Sequence, residues 1–489
     1  MSTLTIVWIA LPFFLGFTVF LLPKLDRYLA LVVGLVSAGY AALLFAERSA
    51  SGSLTSTPLT LQLLDNFGVT LVVDPLSAYF ILTNALVTIA VIFYCWDTGK
   101  TYFFYAQTII LHGSVNAAFA CADFISLYVA LEVSGIAAFL LIAYPRSDRS
   151  IWVGLRYLFV SNTAMLFYLV GAVLAYQTSH TFAFSGLRGA PPEALALMFM
   201  GLLVKGGVFV SGLWLPLTHS ESETPVSALL SGVVVKAGVY PLVRCALTLE
   251  EVDPIVRMFG VGTALLGVFY AVVEKDTKRM LAFHTVSQLG FVLAAPAVGG
   301  FYALTHGLVK AALFLIAGSL PSRNFKELQQ KPINTPIWIA LVIASFSISG
   351  FPMLSGFGAK VLTEKNYLPW QAIAMNVAAL GTAISFAKFI FLPRGGHGEV
   401  KLGFWVATIL LLGGLMAANT VYYDAYTLKN IIKPLAIIAV GWLAYWFIFR
   451  RTILKLPRSL EQFDNLVGFM VLISILLFWL ALPSHTPPA

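Results

Sequence analysis

Stretches of about 20 mostly apolar residues, the length that crosses a bilayer, follow one another along this 489-residue chain with only short polar intervals. That feature leaves little choice of architecture. In lipid every backbone N–H and C=O must be paired within the protein, so only helices and closed barrels can span. Barrel strands alternate in segments of about 10 residues, and the apolar runs here do not alternate. The expected fold class is therefore all-α, a polytopic membrane protein of about 14–16 transmembrane helices. Composition agrees, with 59% hydrophobic and 11% charged residues where soluble domains carry about 25% charged.

The formal net charge of +8 does not point to nucleic acid, because the basic residues collect in the short loops between spans. With about sixteen spans and the N-terminus outside, about seventeen basic residues fall on the inner side and about six on the outer. That asymmetry predicts N- and C-termini outside; the expected location is a bacterial inner membrane. The first run, Thr3 to Leu22, lacks a preceding basic residue and is followed by Lys24 and Arg27. It is expected to be a retained helix rather than a signal peptide. Cys95, Cys121 and Cys245 show no metal-ligand or disulfide spacing. Partial alternation in Ser51–Asp74 suggests an external hairpin. No nucleotide-binding loop, HExxH or GxSxG motif occurs, so no cofactor or metal is expected.

Ionisable residues inside the spans carry the chemistry. A charge at mid-span costs about 2.5–3.5 kcal/mol on insertion scales and is usually functional. Glu132 lies deep in "FISLYVALEVSGIAAFLLIAY", and three lysines recur in similar words: Lys205 in "LLVKGGVF", Lys236 in "VVVKAGVY" and Lys310 in "GLVKAALF". A lysine side chain reaches roughly 6 Å, about four residues of helix rise. Lys205 and Lys236 stand about ten residues from a span end, too deep to snorkel. His306 precedes Lys310 by four residues, on one helical face. Lys360 follows the breakers of "SISGFPMLSGFGAK", with Glu364 a turn on, and a second break is expected in "GLWLPLTHSESETP" at Pro216 and Pro225. His284, with Thr285, Ser287 and Gln288, is a secondary polar step, whereas His112 reads as a satisfied core histidine. Burial lowers a lysine pKa and a nearby carboxylate raises it again. A line of such groups, bridged by water and histidine, suits proton relay.

At these residues the chain resembles the antiporter-like subunits shared by Mrp-type multisubunit cation/proton antiporters and the proton-pumping arm of complex I. The resemblance rests on "WLPLTHSESETPVSALLSGVVVKAGVYPLVR", "EKDTKRMLAFHTVSQLGFVL", "THGLVKAALFLIAGS" and "GFPMLSGFGAKVL", in that order between Asp74 and Leu392. The C-terminal "WLAYWFIFRRTILKLPRSLEQFDNLVGFM" is most similar to the Mrp-type D protein. The resemblance implies two inverted five-helix repeats, each with a broken helix. It divides the chain into N-terminal helices (1–100), a first repeat (101–250), a second repeat (251–393) and C-terminal helices (394–489). It carries proton-transfer roles onto Glu132, Lys205, Lys236, His306, Lys310 and Lys360. Where the family often has an aspartate in its "LPDAHAEAP" motif, this chain has Leu217, leaving Glu221 or Glu223 to supply a loop carboxylate.

The expected function is proton translocation as a subunit of a multisubunit Na+(cation)/H+ antiporter. Its expected partners are other hydrophobic subunits, protons, Na+ and the lipid bilayer, with no nucleic acid. By itself such a chain is a transporter subunit rather than an enzyme. The alternative is a proton-pumping subunit of a complex I-type NAD(P)H/ferredoxin–quinone oxidoreductase or a related carbon-uptake complex. A haem-bearing oxidoreductase is disfavoured, because His112, His284 and His306 offer no pair with ligand spacing on one helix. A mere scaffold has no reason to keep costly buried charge.

Overall fold

A computed structural model describes residues 2–50, 59–63, 69–396, 398–450 and 457–481. Three helices and a hairpin open the chain: α1 (Ser2–Leu21), α2 (Asp26–Ala50), strands β1 (Leu59–Leu63) and β2 (Val69–Val73), and α3 (Pro75–Cys95). The strands pair antiparallel with Leu61 opposite Leu71, as the alternation in this segment predicted. Asp74 then starts α3, its carboxylate accepting from Ser77 N at 3.0 Å with Pro75 in the first turn. Proline is tolerated there because its missing N–H has no helical partner.

The next five crossings are α4 (Tyr102–Ala120), α5 (Phe124–Ile142), α6 (Asp148–Ser179), an interrupted pair α7 (Pro192–Lys205) and α8 (Leu215–Glu221), and α9 (Thr224–Leu229) running into α10 (Val235–Thr248). Five more follow: α11 (Asp253–Val273), α12 (Thr277–Ala294), α13 (Gly299–Ala317), then past the short α14 (Phe325–Leu328) and β3 (Ile333–Asn334) a second interrupted pair, α15 (Thr335–Ser349) and α16 (Ser355–Lys365), and α17 (Gln371–Ile390). Five is odd, so the second set enters from the opposite face, which makes the two repeats inverted. After β4 (Arg394–Gly396), which pairs with β3, α18 (Leu402–Thr420), α19 (Leu428–Ala444) and α20 (Phe463–Ala481) complete the described chain.

Among the described residues, thirteen helices are long and apolar enough to cross a membrane. The remaining places in the expected sixteen belong to α4, α12 and the interrupted α15–α16. Of these, α15 is apolar but short, with 15 residues. Every residue of α12 is buried by protein, so polar side chains there meet other helices rather than lipid. Arg451, Lys455 and the C-terminus, all assigned a side of the membrane from the sequence, lie outside the described residues.

The first break differs from expectation. The helix stops at Lys205, immediately before Gly206 and Gly207, and Gly207 takes φ +67°. Glycine adopts that left-handed conformation without a Cβ penalty. Pro216 and Pro225, expected to break the helix, instead sit in the first turns of α8 and α9. The second break lies where expected, with Gly350 at φ +84° closing α15.

A polar cluster fastens the N-terminal helices. Trp8 Nε1 donates to Ser37 Oγ at 3.0 Å, and Ser37 Oγ lies 2.8 Å from His112 Nε2, whose Nδ1 lies 3.1 Å from Thr88 Oγ1. Indole is a donor only, so the Ser37 hydroxyl proton is free to go to Nε2, leaving the Nδ1 proton for Thr88. Asn84 and Asn116 complete the cluster at 2.8 Å from each other. His112 is thus a satisfied core histidine, as read from the sequence.

Candidate functional site

Glu132 stands near the middle of α5, half-buried, and its Oε1 has no hydrogen-bond partner among the described residues. Lys205 ends α7 at the first break. Its carbon chain is buried, and its ammonium donates to Ser161 Oγ of α6 at 2.6 Å. A cation at a helix C-terminus also meets the negative end of the helix dipole. Glu132 and Lys205 feel one another's charge without forming a direct ion pair, the hydroxyl of Ser161 being the lysine's partner.

The three similar lysine words take three different backbones. After Lys205 the chain unwinds. Before Lys236 it winds more loosely, as a π-helical turn over Leu230–Val234. Around Lys310 it is an ordinary α-helix. Such π-turns leave carbonyls displaced from their normal partners and recur at functional sites. Here Lys236 Nζ donates to the Ser231 carbonyl at 3.2 Å, within the π-turn.

Ser231 also bridges to the second repeat. Its Oγ lies 2.7 Å from Thr285 Oγ1, and Thr285 Oγ1 donates to the Leu281 carbonyl at 3.0 Å. The threonine proton being used, Ser231 is the donor in that pair. Lys310 Nζ donates to the same Leu281 carbonyl at 2.7 Å. Ser231 and Leu281 therefore tie the two lysines to the Ser231–Thr285 hydroxyl pair, Lys236 through the Ser231 carbonyl and Lys310 through the Leu281 carbonyl that it shares with Thr285. His306 and His284 flank it. Both are buried, neither ring nitrogen of either has a partner among the described residues, and His284 lies 4.7 Å from the Phe386 ring. The other polar steps read beside His284 have structural uses: Ser287 Oγ donates to Ala264 O at 2.9 Å, and Gln288 Oε1 accepts from Tyr302 at 2.7 Å.

Lys360 lies on α16, past the second break, its ammonium buried without a hydrogen-bond partner among the described residues and 5.7 Å from the Phe291 ring. Glu364 does not pair with it, being engaged by Lys433 of α19.

Glycines make room for these side chains. A Cβ on Gly135 would stand 2.8 Å from Lys205 Nζ, one on Gly350 2.8 Å from Lys360 Cδ, and one on Gly307 3.4 Å from Lys236 Cε. A Cβ on Gly238 would overlap the backbone nitrogen of Gly206, so α10 crosses the end of α7 with backbones touching. That crossing brings the helix bearing Lys236 against the end of the helix bearing Lys205.

Sequence reasoning missed Ser161, Ser231, Gly135 and His219. His219, on α8, is fully buried, with the Leu215 backbone at its ring and the charges of Lys310 and Lys236 acting on it. The loop carboxylates around it are ion-paired: Glu221 with Arg149 at 3.1 Å and Glu223 with Lys100 at 2.7 Å. The sequence signal for His219 was its place in the "LPLTHSESETP" motif, which reads as loop from its prolines but folds as a buried helix. Single serines in apolar helices carry no signal of their own.

Residues 121–385 match the family model described as NADH:quinone oxidoreductase/Mrp antiporter, transmembrane region. The chain belongs to this family. Within it, the chain is 26% identical to the D protein of the Na(+)/H(+) antiporter of Alkalihalophilus pseudofirmus, over 84% of this chain and 91% of that protein. It is 31% identical to the N protein of the NADH-quinone oxidoreductase of Desulforudis audaxviator, over 66% of this chain and 72% of that protein. The fold is that of a chain in the Mrp complex from Dietzia sp. DQ12-45-1b, with TM-score 0.73 and 21% identity over 96% of this chain and 99% of that one. Family members of both kinds are therefore named as subunits of larger assemblies, and this member is a multi-pass membrane protein.

Proposed function

We propose that this chain is the proton-translocating subunit of a multisubunit Na+/H+ antiporter in a bacterial inner membrane, with both termini outside. Protons pass along Glu132, Lys205, Lys236, the His306–Lys310 pair and Lys360, with His284 secondary. The reading divides the chain into the repeats 101–250 and 251–393, flanked by 1–100 and 394–489. One observation carries it. The four lysines of this line, Lys205, Lys236, Lys310 and Lys360, lie in the interior of the bundle, and none forms a direct ion pair with a carboxylate among the described residues. A structural lysine is retained for a salt bridge. A lysine held by a serine, a carbonyl or an aromatic face gains or loses its proton without breaking an ion pair. Between Lys236 and Lys310 stand the Ser231–Thr285 hydroxyls, which would pass the proton with water joining each hydroxyl to its neighbouring lysine. His219 links the line to the loop bearing Glu221 and Glu223.

The test is Na+-dependent collapse of a pH gradient in everted vesicles carrying the assembled complex. Glu132→Gln and Lys205→Ala are each expected to abolish exchange at normal assembly. Normal exchange in both removes the reading. A second reading, a subunit of a complex I-type quinone oxidoreductase, is favoured by the 31% identity to the N protein of such an enzyme. Gentle purification separates the two: peripheral iron–sulfur subunits co-purify under the second and small hydrophobic subunits alone under the first.

A further inference from the structure

A cavity of about 140 Å³ opens at the end of the bundle where α11, α17 and α19 finish. Lys275, Lys326, Lys388 and Arg450 line it, with Glu274 as their one carboxylate. That carboxylate is already committed. It accepts from Arg279 Nε at 3.1 Å and from the backbone N–H groups of Lys275 at 2.8 Å and Asp276 at 3.2 Å. Burial disfavours its charge, but the Arg279 guanidinium and those N–H groups hold its carboxyl below the usual range. Four cations therefore surround one anion, Glu274, which shares Arg279 with Glu461.

Lys388 reaches the cavity from the last turn of α17. Its ammonium donates to the carbonyls of Ala271 at 3.1 Å and Glu274 at 2.8 Å and stands 5.6 Å from the Phe325 ring. An ammonium has three donors, and the third has no protein acceptor among the described residues. Arg450 lies 4.3 Å over the Trp446 ring at the cavity mouth. Val272, Val273 and Phe449 supply an apolar wall, and Phe447, Ile448 and Leu443 of the same helical end are exposed.

We propose that this cavity binds the phosphate group of an anionic phospholipid, with the acyl chains lying along the exposed apolar face ending at Phe449. Basic loop residues near headgroups are expected from topogenesis alone. A recess assembled from four separate elements, with one cation half-buried and short of an acceptor, is not. Basic pockets between transmembrane helices take lipid headgroups in this way. Free phosphate shares the headgroup chemistry but has no use for the apolar wall.

The test uses the full chain purified in neutral detergent and titrated in native mass spectrometry with dioleoylphosphatidylglycerol or dioleoylphosphatidylcholine. The glycerol lipid is expected to bind more tightly. Each cation near the surface contributes about fivefold, so Lys326→Ala with Arg450→Ala is expected to weaken its binding at least tenfold. Lys326→Arg with Arg450→Lys is expected to retain it, which separates lost charge from damaged folding. Equal binding of the two lipids, or an unchanged affinity in the double alanine variant, overturns the proposal. Displacement of the bound lipid by millimolar inorganic phosphate also overturns it, assigning the site to a free anion.

Discussion

Gly135→Ala tests the lysine line without removing any ionisable group. The new Cβ would stand 2.8 Å from Lys205 Nζ and 3.4 Å from Ser161 Oγ. The serine distance is ordinary contact, while the lysine must retreat by about 0.6 Å or more to reach the same separation. Helix α5 is not forced to move, because the clashing atom is the far end of a flexible chain. What gives way is the 2.6 Å bond from Lys205 to Ser161. A hydrogen bond from a charged group is worth about 1.5–3 kcal/mol net. Misplacing the ammonium is therefore expected to slow exchange about tenfold to a hundredfold, with assembly unchanged. The assay is Na+-driven dequenching of a pH-gradient dye in everted vesicles, with complex abundance measured in parallel. Gly39→Ala is the matched control, since nothing lies within 4 Å of its Cβ position. Ser161→Ala acts on the same bond, so the double variant is expected to be no slower than the slower single one. A wild-type rate in Gly135→Ala, or effects of the two substitutions that simply multiply, would refute the role given to this bond.

Three further outcomes are expected. Thr285→Val keeps the shape of α12 but breaks the line between Ser231 and Leu281, and should slow exchange about tenfold, with Thr285→Ser restoring most of it in the same vesicle assay. Gly238→Ala drives a Cβ into the backbone nitrogen of Gly206, a clash that no rotamer relieves, so the assembled complex should fall in abundance on blue native gels. Asp74, outside the span, pairs with Arg244 of α10, whose Nη2 donates to Asp74 Oδ1 at 2.9 Å. Burial opposes its charge, but Arg244 outweighs burial and holds the carboxyl below its usual range. Its stabilisation is thus complete above about pH 4 and is lost as pH falls through the lower folded value. Melting in detergent from pH 3 to 7 should show that acid loss in the native chain and a flatter profile in Arg244→Ala.

Span number and helical class were legible because bilayer thickness imposes a length that apolar runs must meet. Glu132, Lys205, Lys236 and Lys310 stood out because charge inside such runs is expensive. The bonding around them was not legible. Ser161 and Ser231 are ordinary residues of membrane helices, and only three-dimensional packing reveals that they hold an ammonium or bridge two repeats. The first break was misplaced for a physical reason: proline weakens a helix only in its interior, and both prolines here begin helices. The helix ends instead at Gly206 and Gly207, inside the lysine word "LLVKGGVF".

The groups from Glu132 to Lys310 lie near the middles of their spans. A charge moving between points of equal depth does no work against a membrane potential, which otherwise costs about 2.3 kcal/mol per elementary charge per 100 mV across the full thickness. The interior row is therefore electrically silent along its length. Voltage acts only on the two legs that connect it to the surfaces, one of which we place at His219 and the ion-paired loop beyond it.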